Sequence, residues 1–145
     1  MASTSVDPIR PAPLHPAHAF FLAAMVSPFV GAVLSDYAYT KTYEMQWSNF
    51  SSWLLAGGLV FGALAIVCAL LDFARAAGRR RRGLQSLALL VLVATWVIGL
   101  IDAFVHARDA WAVMPMGFVL SIVVLALALI ATWLGFARFD RSLSP

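Results

Sequence analysis

The chain alternates between long apolar stretches and short polar breaks. Four stretches carry no charged residue: Ala19 to Ser35, Ser48 to Leu71, Gly83 to Ile101, and Ala110 to Ala137. A helix rising about 1.5 Å per residue needs roughly 17 to 25 residues to cross about 30 Å of hydrocarbon, and each stretch meets or approaches that length. Transmembrane β-strands would alternate apolar and polar residues in segments of about ten, and a water-soluble bundle would keep a polar face on every helix. Neither pattern occurs. The pattern predicts an all-α polytopic membrane protein, a four-transmembrane-helix bundle running up-down-up-down, with helices near 14–36, 48–75, 84–106 and 112–137. Residues 1–13 are expected to form a disordered arm and residues 138–145 a short tail.

Within the spans, small residues mark expected contact faces. Ala19, Ala23, Ser27, Gly31 and Ser35 recur every fourth residue along the first span and predict a stripe where another helix approaches closely. Gly58 and Gly62, continued by Ala65 and Ala69, predict the same for the second, and Gly117 with Ser121 for the fourth. Pro16 and Pro115 suit first helical turns, where a missing N–H costs nothing, and Pro28 predicts a kink. No period suggests a repeat architecture.

Composition agrees with a membrane location: 62% of the 145 residues are hydrophobic and 12% charged, too little polar surface to cover a soluble globule. The net charge of +3 changes the picture through its distribution. Arg10, Arg75, Arg79 to Arg82, Arg138 and Arg141 lie on one side of the predicted topology, against Lys41 and Arg108 on the other. The positive-inside rule then makes both termini and the GRRRRG loop cytoplasmic. That loop is read as a topology anchor, so no nucleic-acid partner is expected. The opening MASTSVDPIRPAP lacks a basic start ahead of an apolar core and does not read as a cleaved signal peptide. A single cysteine, Cys68, rules out an internal disulfide and reads as a packing residue.

The polar breaks hold the candidate chemistry. SDYAYTKTYEMQWSNFSSW, residues 35–53, reads as the longest loop, either an interfacial aromatic belt or a periplasmic docking surface built on Tyr37, Tyr39, Tyr43 and Trp47. In IDAFVHARDAWAVMP, residues 101–115, Asp102 stands one turn inside its span. A carboxylate at that depth needs a partner. Asp36, Asp102, His106 and Arg108, with Asp109 and Trp111, are therefore expected to cap the periplasmic mouth. The plainer reading has Asp102 reaching up to water and Arg108 to headgroups. A second, cytoplasmic cluster is expected from His15, His18 and Asp72.

Histidines in a four-helix membrane bundle raise haem b, held by two imidazoles from different helices. His18 and His106 fall at opposite membrane faces, and His15 with His18 share one side of one helix, so no intramolecular pair is expected. No metal site, phosphate loop, CxxC, HExxH or nucleophile elbow is present, and the catalytic site is predicted as none.

Several motifs are similar to those of a bacterial membrane-protein family, domain of unknown function 2231: HPAHAFF at 15–21, LLDF at 70–73, WSNFSSWLLAGGLVFGALA at 47–65 and VHARDAWAVMPMGFVLS at 105–121. The resemblance runs over residues 14–137, with His15, His106, Arg108, Asp109 and Trp111 among the matching positions. It implies a four-helix inner-membrane protein, and family context implies a periplasmic quinoprotein dehydrogenase as partner.

The function expected from all of this is a non-enzymatic anchor or assembly subunit that sits in the lipid bilayer, docks a periplasmic protein and is open to homo-oligomerisation. A haem- or quinone-linked electron-transfer subunit is the alternative. The third reading is a small-solute or proton pathway relayed by Asp102 and His106.

Overall fold

The structure, a computed structural model, describes residues 15–75, 83–108 and 112–143, with side chains as far as residue 137. Four helices make up these segments: α1 (Pro16–Thr42), α2 (Met45–Arg75), α3 (Gly83–His106) and α4 (Met116–Leu143). Each is long and apolar enough to cross a membrane, α4 over Met116–Ala137. The arm before residue 15, Arg79 to Arg82, Asp109 and Trp111 lie outside the described residues.

Each helix packs on its chain neighbours, and α1 closes the ring against α4. The arrangement is a square of antiparallel neighbours, which short connections impose on four consecutive spans. Less than a third of each span is buried for α1, α3 and α4, and a third for α2. Phe20, Leu34, Val60, Leu90, Phe104 and Trp133 point outward. Apolar side chains on both the inner and outer faces are what lipid surroundings permit and water does not.

The polar run at residues 35–53 reads as a loop in the sequence, and the structure replaces it with helix. α1 runs on to Thr42, α2 starts at Met45, and only Tyr43 and Glu44 turn the chain. No proline or glycine interrupts Asp36–Thr42, so the helix continues beyond its apolar stretch. Tyr43 ends it with a left-handed φ of 56°, its N–H bonded to the carbonyl of Tyr39 at 2.9 Å. At about 1.5 Å per residue α2 is roughly 46 Å long, so the α1–α2 hairpin overreaches a hydrocarbon layer of about 30 Å.

The small-residue stripe on α1 also differs from expectation. Ala23 and Ser27 are exposed, and the face that α1 buries is His18, Leu22, Met25, Phe29, Ala32, Ser35, Asp36 and Tyr39. Large side chains fill the bundle axis here because small ones supply the room opposite. The Phe29 ring lies over Gly58, where an added Cβ would meet ring Cδ1 at 2.7 Å, and Leu22 lies over Gly135, where Cδ1 would stand 2.6 Å away. The small faces predicted on α2 and α4 are buried: Gly58, Gly62, Ala65 and Ala69 on α2, Gly117 and Ser121 on α4. α3 is tied to α2 by the indole N–H of Trp96, which donates to the carbonyl of Leu59 at 3.1 Å.

Candidate functional site: a buried polar cluster joining four helices

Helix register brings one polar side chain from each of three helices, and two from α3, to a common level. Asp36 lies six residues before the end of α1 and Ser121 five residues after the start of α4. At about 1.5 Å per residue both sit roughly 7 to 9 Å below the helix ends. Asp102 and His106, four apart on α3, stack on one face, and Ser51 arrives from α2. All five are buried, with Asp36, Ser51 and Asp102 at 0% exposure.

The His106 ring is the hub. Its Nε2 lies 3.0 Å from Asp36 Oδ1, joining α3 to α1 across the diagonal of the square, and 3.4 Å from Ser51 Oγ. Its Nδ1 bonds the main-chain carbonyl of Asp102 at 3.0 Å. Asp102 Oδ1 is also 3.1 Å from Nδ1, within ion-pair range, yet it has no hydrogen bond, because the Nδ1 bond goes to the carbonyl. Ser121 Oγ bridges the two carboxylates, 2.5 Å from Asp36 Oδ2 and 3.0 Å from Asp102 Oδ2. Ser51 donates to the carbonyl of Ala32 at 3.4 Å. Gly117 makes room for the ring: a Cβ there would stand 2.8 Å from His106 Cε1 and 2.6 Å from Val113 Cγ1.

Such a cluster costs desolvation, which its mutual bonds must offset. Removing any one partner strands the others in a medium with no water to replace it.

The structure brings together Asp36, Asp102 and His106 of the expected mouth cluster and leaves Arg108 out. Arg108 is exposed two residues past the end of α3, where a long cationic side chain reaches water more cheaply than it enters the bundle. Asp102 does not reach up to water. Of the expected docking residues, Tyr37, Tyr43 and Trp47 are exposed, while Tyr39 is buried at 3% and belongs to the interior. Ser121 and Ser51 were not singled out as cluster members from sequence. Their signal was a small hydroxyl on a packing face, which reads equally well as plain close packing.

At the opposite end His18 Nδ1 bonds Asp72 Oδ2 at 2.9 Å, and Arg75 Nη1 stands 3.7 Å from the other carboxylate oxygen. His15 does not join them. It is the exposed residue before α1, and its Nδ1 accepts from the Ala17 N–H at 3.3 Å, a capping role that proline at the next position leaves open. Beside His18 lies a small cavity lined also by Leu22, Gln85, Leu89, Leu92 and Gly135. Gln85 reaches it from α3 and its Nε2 is buried without a hydrogen-bond partner. Between the two polar ends Leu22, Met25, Phe29, Leu55, Leu92 and Val124 form a continuous apolar core.

No curated protein and no solved structure matches this chain. A family model does match, over residues 14–139, and its description is predicted membrane protein (DUF2231). The matched segment takes in α1, α2, α3, α4 as far as residue 139 and both polar clusters, and the chain belongs to the DUF2231 family of predicted membrane proteins.

Proposed function

We propose that this protein is a non-enzymatic anchor or assembly subunit of the bacterial inner membrane, with both termini cytoplasmic, which holds a periplasmic protein by the tip of its α1–α2 hairpin. The observation that carries the reading is the character of that tip. Two long helices joined by Tyr43 and Glu44 overreach the hydrocarbon and expose Tyr43, Met45, Trp47 and Phe50 beside Lys41 and Glu44. Exposed aromatics and methionine among a few charges are the composition of protein-binding surfaces. The polar cluster lies directly beneath, bonded to both hairpin helices, and supports a tip held at a fixed angle. The arginine asymmetry supports the sidedness.

The test combines topology with contact. In a Cys68→Ser background, cysteines at Glu44 and at Ser142 are labelled with a membrane-impermeant maleimide in cells with a permeabilised outer membrane; Glu44→Cys should label and Ser142→Cys should not. A photo-crosslinking side chain at Trp47 should then give one discrete protein adduct, absent when it is placed at lipid-facing Leu90. Reversed labelling, or adducts with lipid alone at Trp47, would overturn the proposal.

A further inference from the structure

The hydrogen-bond pattern around His106 contains more links than its ordinary ionisation states supply hydrogens for. Four contacts at 3.0 Å or less close a ring: His106 Nδ1 to the Asp102 carbonyl, His106 Nε2 to Asp36 Oδ1, Ser121 Oγ to Asp36 Oδ2, and Ser121 Oγ to Asp102 Oδ2. Each link needs one hydrogen. The imidazole supplies two at most and the serine hydroxyl one, so the fourth must sit on a carboxyl group. Asp36 already receives bonds at both oxygens, from His106 and from Ser121, the environment of a charged acceptor. Asp102 receives less: its Oδ1 stands 3.1 Å from Nδ1 but has no hydrogen bond, because that nitrogen bonds the main-chain carbonyl, and its Oδ2 lies against Ser121, so of the two carboxyl groups it is the one placed to hold the remaining hydrogen. The set is then one imidazolium, one carboxylate and one carboxylic acid, with no net charge, as a site of 0 to 5% exposure requires.

We propose that Asp102, Ser121, Asp36 and His106 form a proton-binding site, in which Asp102 carries an exchangeable proton and the Ser121 hydroxyl relays it to Asp36. In the relay Asp102 Oδ2 gives its proton to Ser121 Oγ while the serine passes its own hydrogen to Asp36 Oδ2. Asp102 becomes the carboxylate, Asp36 the acid, serine stays neutral, and the imidazolium keeps a carboxylate neighbour in both states. The groups facing the site are Asp36 and, one turn nearer the hairpin tip, the buried Tyr39 phenol from α1; Ser51 from α2; Asp102 and His106 from α3; and Ser121 from α4. Lys41, Glu44 and Arg108 are exposed outside it. The apolar core below confines exchange to the hairpin end. This inference is independent of the docking reading.

Infrared spectroscopy of the full chain in lipid bilayers at neutral pH, with aspartate 13C-labelled at the side-chain carboxyl, tests the assignment. The wild type should show an isotope-sensitive carboxylic-acid carbonyl band. Asp102→Asn should lose that band and keep its melting temperature to within roughly 3 °C, because the amide donates to Ser121 as the acid does. Asp36→Asn should also lose the band, because Asp102 then carries the negative charge beside the imidazolium, and should melt lower by roughly 5 °C, because Nε2 faces an amide oxygen in place of a charged acceptor. Ser121→Ala should keep the band at a higher frequency, its hydrogen bond gone. No labelled acid band in the wild type, an undiminished band in Asp102→Asn, or a reversed order of the two melting losses would overturn the proposal. The wild-type and Ser121→Ala spectra decide it even where an aspartate variant fails to fold.

Discussion

Gly117→Ala adds one methyl group to a helix that should gain from it, and the structure nevertheless expects a loss. Replacing a helical glycine by alanine favours the helix by about 1 kcal/mol where the new methyl meets nothing. At Gly117 the Cβ would stand 2.6 Å from Val113 Cγ1 and 2.8 Å from His106 Cε1, both closer than carbon atoms approach without movement. Val113 is fully buried and cannot swing away. The imidazole is held from both ring nitrogens, by Asp36 and by the Asp102 carbonyl, so it shifts only by breaking one of them. Overpacking costs about 1 to 3 kcal/mol, and a lost bond to a charged group about 1.5 to 3. After the helix gain is subtracted, the net loss is about 1.5 to 5 kcal/mol. Thermal melting in mild detergent reads it against Gly57→Ala, whose Cβ has no atom within 4 Å and which carries the propensity gain alone. A Gly117→Ala protein that melts with or above Gly57→Ala would refute the placement of His106 against α4.

At the core, Gly58→Ala should lose about 1 to 3 kcal/mol because its Cβ enters the Phe29 ring, and Phe29→Leu in the same chain should recover part of it; additive losses would place the ring elsewhere. At the opposite end, His18→Ala should cost about 1 to 3 kcal/mol by leaving Asp72, among the described residues, with Arg75 at 3.7 Å. His18→Gln should regain some of that loss, and unchanged melting for both would dissolve the pair. Gly31→Leu should cost no more than about 1 to 3 kcal/mol, since its nearest neighbour is the flexible end of Leu54 at 3.0 Å; a larger loss would put backbone in that place.

The four spans were legible because apolar runs of span length leave few alternatives, and Asp102 with His106 because four residues on a helix share a face whatever the tertiary structure. Other features depend on which way each helix faces, which a chain apolar on all sides does not declare. Ala23 and Ser27 repeat as regularly as Gly58 and Gly62, yet only the latter pair faces the axis. Ser121 could be placed on a packing face but not recognised as the bridge between two carboxylates. Tyr39 and Tyr37 are indistinguishable in composition and differ only in helical phase, one buried and the other exposed. The hairpin turn is not legible because its polar residues read as loop, although Asp36–Thr42 contains no helix breaker.

The bond that crosses the bundle from α1 to α3 ties the polar cluster into the fold. Solid-state NMR of the protein in lipid bilayers, with 13C in the aspartate side-chain carboxyls and 15N in the histidine rings, measures it directly. A dipolar contact is expected between Asp36 Cγ and His106 Nε2, matching the 3.0 Å between Nε2 and Oδ1, with hydrogen on both ring nitrogens. An Asp36 carboxyl with no histidine contact, or a His106 ring with one bare nitrogen, would contradict it.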